Sequence, residues 1–391
     1  MFLLNSSAKL IVQIFVACCL LSTSSAMALD DGAIVERKAY RFPAYEQALQ
    51  TTDVENYTDK ASYEAAVNDS RFEFQKLTYS SDGLKVIAYL YKPKETNGHK
   101  FPAIIYNRGS AVRGDIAPEL ISLFHRLASE GFVILAPMLR QSDGGEGRDE
   151  LGGADVDDLM NVVPLARSLA FVDMDNLFMC GVSRGGMMTY QAIKRGFPIN
   201  AAAVVGAFTD MQGVIDSHAK QYPLTVLKQL WPNYEERKDE ISRTRSATSW
   251  ADQLNVPLLI MHGGNDQSVD TEQSLTLAEQ LQKLGRVYEL VVYAEDNHHL
   301  SKNEEDRDRR ALSWFKKYIK KSVSDPHAAR ETFASGKDST AARGSQRTRH
   351  FIRRHLLGWK RRGWVQSEEI AISVSSEKVE AVIVKGFYRR Q

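Results

Sequence analysis

Residues 176–187 read Asn176-Leu177-Phe178-Met179-Cys180-Gly181-Val182-Ser183-Arg184-Gly185-Gly186-Met187. An apolar run leads into Gly-x-Ser-x-Gly-Gly, and a helix-compatible run, Met187 to Lys194, leads out. Strand, tight turn and helix in that order are what a nucleophile elbow requires. Glycines on both sides of Ser183 let the backbone turn sharply with no Cβ in the way. The turn lifts the serine hydroxyl above the sheet edge. On its own the motif is also that of an ordinary loop serine, so its meaning rests on what surrounds it.

Working outward from the elbow, apolar runs and helical patterns alternate. Ala103 to Tyr106, Phe132 to Ala136, Leu177 to Cys180, Ala201 to Val205, Val256 to Met261 and Tyr288 to Tyr293 read as strands. Helices are expected over about 118–129, 155–169, 271–284 and 308–320, the last with Leu312, Phe315 and Ile319 at helical spacing. Such repetition implies a mainly parallel sheet covered on both faces. Before it, 71–80 and 84–92 form a hairpin about Ser81-Asp82-Gly83. Residues 29–70 are polar, with a short helix expected over 61–67, and are expected to wrap the surface. The alternation breaks between Phe208 and Asp252, where Trp231, Pro232 and Trp250 sit among charged residues. An insertion there is expected to cap the C-terminal edge of the sheet.

The chain has 391 residues, 43% hydrophobic and 25% charged, enough for a full-sized core. Its net charge of +1 gives no overall field that would select nucleic acid. The charge is uneven, however. Residues 29–321 carry 35 basic and 42 acidic side chains; residues 322–391 carry 14 and 7. The tail is therefore expected to be a poorly ordered basic extension of a 29–321 domain, although 371–387 shows some strand-like alternation. Within it, residues 347–364 mix arginines with Phe351, Ile352, Leu356, Leu357, Trp359 and Trp364, a pattern suited to an anionic surface.

At the other end, Lys9, the apolar run Leu10 to Leu21 and Ala26-Met27-Ala28 make an export signal over residues 1–28. The expected location is periplasmic or secreted. Two of the three cysteines lie in that signal, so a processed chain would keep only Cys180 and no internal disulfide. Cys180 is expected to be a small buried hydrophobe.

A serine hydroxyl needs a base within reach, and the base needs a carboxylate to fix its tautomer. In α/β-hydrolases the chain order is Ser, then Asp or Glu, then His. Here Leu259-Ile260-Met261-His262-Gly263-Gly264-Asn265-Asp266 runs from an apolar strand into an aspartate loop. Val291-Val292-Tyr293-Ala294-Glu295-Asp296-Asn297-His298-His299 runs from the next strand into a loop with two histidines. Ser183, Asp266 and a histidine at 298 or 299 thus follow successive strands, at one end of the sheet. The expected fold is an α/β-hydrolase with a mostly parallel sheet flanked by helices and a small cap insertion at about 208–252.

Three pieces together resemble the catalytic domain of the prolyl oligopeptidase family of serine peptidases. They are Gly181-Val182-Ser183-Arg184-Gly185-Gly186, His262-Gly263-Gly264-Asn265-Asp266-Gln267-Ser268-Val269 and Tyr293-Ala294-Glu295-Asp296-Asn297-His298. The resemblance covers roughly residues 70 to 320 and selects His298 over His299, because the family's last pattern ends on its catalytic histidine. It implies acyl transfer to Ser183, with His298 as base and Asp266 as its orienting carboxylate. The Arg184 N–H is the expected first oxyanion donor, and the loop at Arg108-Gly109-Ser110 the expected second. That loop departs from the family, where a Tyr or His often precedes the glycine. Arg108 could bring a cation to the oxyanion or to an anionic substrate group, or form a surface salt bridge. The propeller of the large family members is missing too, so a carboxylesterase or amidase on small acyl substrates stands beside a peptidase. A non-catalytic binding protein is the remote alternative.

No cofactor is expected. The Ser142–Gly153 segment lacks a phosphate-binding lysine and reads as a flexible loop beside the site. Asp155, Asp157 and Asp158 suit a helix N-terminus better than a metal, and no zinc-ligand spacing occurs. His262 is expected to make a structural hydrogen bond. Trp231 and Trp250 are expected in the cap or the core. The expected partner is a peptide or small acyl substrate.

Overall fold

The computed structural model describes residues 29–321, apart from 53, 111–113, 115, 218–223 and 232, together with the backbone of 370–375 and 378–386. The export signal and the basic segment 347–364 lie outside the described residues.

In chain order the elements are β1 (Ile34–Ala39), α1 (Tyr45–Ala48), α2 (Lys60–Asn68), β2 (Phe72–Ser81), β3 (Leu84–Pro93), β4 (Phe101–Asn107), α3 (Leu120–Ser129) and β5 (Val133–Pro137). There follow α4 (Asp155–Met160), α5 (Val162–Ser168), β6 (Val172–Val182), α6 (Arg184–Lys194) and β7 (Ala201–Val205). Next come α7 (Met211–Ser217), α8 (Leu224–Leu230), α9 (Tyr234–Arg245), β8 (Leu258–Gly263), α10 (Thr271–Lys283), β9 (Tyr288–Tyr293) and α11 (Glu304–Lys317). The last two strands are β10 (Ile370–Ser375) and β11 (Lys378–Gly386).

The strands join one sheet in the order β1-β2-β3-β5-β4-β6-β7-β8-β9-β11-β10. From β5 to β9 every pairing is parallel; β1, β2 and β3 flank it antiparallel on one side, β11 and β10 on the other. The hairpin between β2 and β3 turns on Asp82 and Gly83, both at positive φ, the backbone a tight two-residue turn demands. Strand order reverses between β4 and β6, and a crevice at such a point, beyond the carboxyl ends of the strands, is where α/β sheets bind ligands.

The central strands are apolar on both sides because both faces are covered. One face of β4, β6 and β7, with Ile105, Met179 and Val204, packs on α5, α6 and α10. The other, with Ile104, Phe178 and Ala203, packs on α3 and α11 through Phe124 and Phe315.

Three expectations change. The helix expected over 155–169 breaks at Asn161 into α4 and α5. Pro164 falls in the first turn of α5, where its missing N–H deprives the helix of no bond. The tail, expected as a poorly ordered extension, adds β10 and β11 as a hairpin whose inner strand pairs with β9. Its β-branched residues favour strand, and the β9 edge offers unpaired backbone groups. Finally, the 142–153 segment is not a loose flap: Ser142, Asp149, Leu151 and Gly152 are buried, with positive φ at Asp143 and Leu151.

Candidate active site

Ser183 follows the last residue of β6 and precedes the first of α6, with φ 56° and ψ −121°. That conformation is rare for a residue with a Cβ, costs on the order of 1–3 kcal/mol, and persists only where its surroundings impose it. Here they do. The Ser183 N–H donates to the Val205 carbonyl at 2.8 Å. A Cβ on Gly185 would run into the Asn107 carbonyl, and one on Gly181 into the Gly185 carbonyl and the Thr189 hydroxyl. Only glycine lets β4, β6 and α6 approach this closely.

Asp266 and His298 come from the loops after β8 and β9. His298 Nδ1 lies 2.7 Å from Asp266 Oδ2. The other carboxylate oxygen accepts the backbone N–H groups of Ser268 at 2.7 Å and Val269 at 2.9 Å. His262, at the end of β8, places its Nε2 3.1 Å from Oδ2. Burial works to raise the Asp266 pKa, but the hydrogen bonds from His262 and His298 and the charge of His298 outweigh it. The carboxyl is held well below the usual carboxylate range. His298 also rests against Gly206, whose φ is 54°; a Cβ there would stand 2.9 Å from His298 Nδ1.

The structure therefore brings Asp266 and His298 into contact. His298 and Ser183 line one cavity of about 310 Å³. His299 takes no place on the carboxylate; its ring packs edge-on against His298 at 5.0 Å and against Tyr57 at 5.4 Å.

The oxyanion candidates divide. Arg184 opens α6, and the first N–H groups of a helix have no intrahelical acceptor. Gly109 sits beside Ser183, since a Cβ on it would be 3.3 Å from the Ser183 Cβ. The Arg108 side chain is buried, not at the surface as the salt-bridge alternative required. Its guanidinium donates to the carbonyls of Gly109 (3.0 Å), Ser110 (3.2 Å) and Met138 (2.9 Å) and to Ser142 Oγ (2.6 Å). It braces the loop that faces Ser183.

The Arg184 side chain points the other way, into the protein. It meets both oxygens of Asp149 at 2.6 and 2.8 Å and Asp155 Oδ2 at 2.6 Å. All three side chains are buried. Burial opposes the guanidinium charge, but Asp155 and Asp149 prevail and raise its pKa. Asp155 opens α4, as expected, and is also an ion-pair partner of Arg184. Asp158 is likewise buried and holds Arg140 and Ser81.

The cavity walls differ from expectation. None of the described residues of 208–252 lines it. Trp231 and Trp250 are buried, and the insertion packs beside 150–153, where Arg245 donates to the Leu151 and Glu150 carbonyls. The walls come from Tyr57, from α3 through Leu120, Leu123 and Leu127, and from α11 through Glu304, Arg307 and Asp308. Cys180 and Phe315 lie at the apolar base. Arg307 is neutralised by Asp308 at 2.7 Å and Glu304 at 3.4 Å, so the pocket is apolar below and ionic at one side. Tyr57 had no signal in the sequence. His262 had one: a histidine closing an apolar strand four residues before the aspartate.

The pattern of the prolyl oligopeptidase family matches residues 120–322. An uncharacterized peptidase of Bacillus subtilis, YtmA, is 29% identical over 243 residues, 61% of this chain and 92% of that protein. An Escherichia coli protein named provisionally as a carboxymethylenebutenolidase is 25% identical over 61% of this chain and 84% of its own. Among solved structures, a puromycin-hydrolyzing peptidase of Mycobacterium tuberculosis superposes with a TM-score of 0.55 at 22% identity, over 64% of this chain and 40% of that one. An acylaminoacyl peptidase of Pyrococcus horikoshii gives 0.55 at 20%, over 68% and 45%. The chain thus spans less than half the length of these two structures and shares their fold.

Proposed function

The chain belongs to the prolyl oligopeptidase family, and on that premise we propose that it hydrolyses peptide or amide bonds through an acyl-enzyme on Ser183. The Ser183 hydroxyl attacks the carbonyl carbon while His298 takes its proton through Nε2. Asp266 holds the Nδ1–H of His298 and stabilises the imidazolium. The oxyanion is received by the Arg184 N–H and the Arg108–Gly109 loop. Collapse of the tetrahedral species expels the amine, which takes the proton back from His298. Water then repeats the sequence on the acyl-enzyme and frees Ser183.

The observation that carries this reading is the 2.7 Å contact between His298 Nδ1 and Asp266 Oδ2, with His298 and Ser183 on one cavity. Labelling by a fluorophosphonate probe, compared between the wild type and Ser183→Ala, tests it. Absence of Ser183-dependent labelling in folded protein overturns the enzyme reading. A second reading, ester or lactone hydrolysis, draws support from the Escherichia coli relative covered over 84% of its length. Turnover of acyl esters with none of aminoacyl amides would replace the first reading with the second.

The same proposal places the enzyme outside the cytoplasm, on the pattern of residues 9–28. Amino-terminal sequencing of the protein recovered from cells checks it: Leu29 is the expected first residue.

A further inference from the structure

His262 lies outside the cavity wall, yet its ring nitrogens are committed. Nε2 faces two acceptors, the Val269 carbonyl at 2.9 Å and Asp266 Oδ2 at 3.1 Å. Neither can donate, so Nε2 carries a proton. Nδ1 lies 2.6 Å from Ser274 Oγ on α10. A neutral ring accepts the Ser274 hydroxyl proton there, and Ser274 is fully buried. In a neutral ring these contacts select one tautomer: Ser274 O–H to Nδ1, and Nε2–H to Val269 O and Asp266 Oδ2.

Asp266 then receives four donors: two imidazole N–H groups on Oδ2 and two backbone N–H groups on Oδ1. Four is about what a carboxylate accepts. The titratable groups against His262 are Asp266 and, across it, His298; Ser274 and Val269 are neutral.

We propose that His262 is a positioning residue of the reaction: its Nε2–H pins Asp266 Oδ2 where that oxygen accepts the His298 Nδ1–H, so one oxygen serves both rings. The proposal rests on the reading of Ser183, Asp266 and His298 as the reacting set. A passive core histidine would affect stability alone. A positioning histidine affects the titration of His298, because the two rings compete for one oxygen.

The test compares His262→Leu, which removes the donor, with His262→Gln, whose amide reaches the Nε2 position. In His262→Leu, kcat on an activated substrate is expected to fall about tenfold with KM unchanged. Only the part of a bond to a charged group that differs between resting and reacting states counts toward kcat. The acid limb of kcat is expected at higher pH, since Oδ2 is left to His298 alone; His262→Gln should restore both. A folded His262→Leu protein with wild-type kcat and limb overturns the proposal. Nitrogen-15 spectra of histidine-labelled wild type give a second arm that needs no leucine variant. The His262 ring is expected as the neutral Nε2–H tautomer, with its N–H signal moving as His298 titrates. A signal that stays fixed through that titration overturns the proposal equally. Failure of the underlying reading looks different: the wild type itself would neither turn over nor label.

Discussion

Arg184 and Asp149 meet through two bonds, Nη1 to Oδ2 at 2.6 Å and Nη2 to Oδ1 at 2.8 Å, with both side chains buried. Arg184 is the residue after the nucleophile, so this pair ties the elbow to the 142–153 segment. Removing Asp149 leaves Arg184 paired with Asp155 but takes away its two charge-assisted bonds to Asp149, at a cost of about 2–3 kcal/mol. Asp149→Ala is expected to lose that much in denaturant unfolding and to lower kcat as Arg184 shifts the elbow. Arg184→Lys is expected to be only a partial replacement, since an ammonium cannot serve Asp149 in two-pronged fashion and reach Asp155 as well. Equal stability of Asp149→Ala and wild type would remove the elbow anchor from the account.

The Asp266 carboxyl is held below its ordinary range by His262 and His298 against the effect of burial. Its contribution to stability is therefore present above the ordinary carboxylate range and lost only as pH falls below it. The acid limb of kcat/KM is expected to belong to an imidazole, and to shift with temperature as an imidazole does rather than as a carboxylate does. Asp266→Asn is expected to cost about 10⁴ in kcat by presenting the wrong partner to Nδ1–H. A limb with carboxylate temperature dependence would contradict this.

The parallel sheet, the elbow and the two loops bearing Asp266 and His298 were legible in the sequence because each is local: an apolar run, then glycines, then one reactive residue. Their contacts were not local, and that is where legibility ended. Asp155 does open α4, but its buried partner Arg184 lies 29 positions away, beyond any local pattern. Asp149 stood in a stretch read as a flexible loop, because glycine content does not distinguish a mobile loop from one folded around a buried arginine. The helix expected over 155–169 passes through Pro164, although a proline belongs in a first turn and so carries the signal for the break at Asn161. The cavity walls depended on Tyr57, whose approach to His299 no pattern in residues 29–70 announces.

Gly206 has a positive φ of 54° and lies against the His298 ring. Gly206→Ala is expected to push the imidazole away from the Asp266–Ser183 line. A misplacement of about 1 Å near the chemistry costs roughly a hundredfold, while the backbone penalty for alanine at this positive φ is about 1–2 kcal/mol. A large fall in kcat with a small fall in Tm is the expected signature. A variant with unchanged kcat would mean that the ring is not held there.

Tyr57 reaches the site from the segment before β2 and packs edge-on against His299 at 5.4 Å. It lies outside residues 120–322, the stretch that the family pattern matches. Tyr57→Ala is expected to widen the cavity mouth and raise KM for large acyl groups by several-fold, the scale of one lost aromatic contact of about 1 kcal/mol. kcat for a small ester should stay unchanged. A parallel fall in kcat for small and large substrates would assign Tyr57 to holding His299 and His298 instead.

Truncation after Lys321 is expected to leave hydrolysis intact while making the protein self-associate. Every residue that lines the cavity lies within 57–315, before the cut, and the end of the domain is closed by its own bonds. Asn176 Oδ1 accepts the Lys320 N–H at 2.6 Å, and Asn176 Nδ2 donates to the Lys320 carbonyl at 3.0 Å. What the truncation removes is β11, which pairs with β9 from Tyr288 to Tyr293. β9 then becomes a sheet edge with a row of unpaired N–H and C=O groups, a template for joining a second chain. Sedimentation at rising concentration should show association in the truncated protein and less in the full chain, at equal kcat/KM. A folded truncation without activity would mean that the tail contributes to the site. A fully monomeric one would mean that β9 is protected without β11.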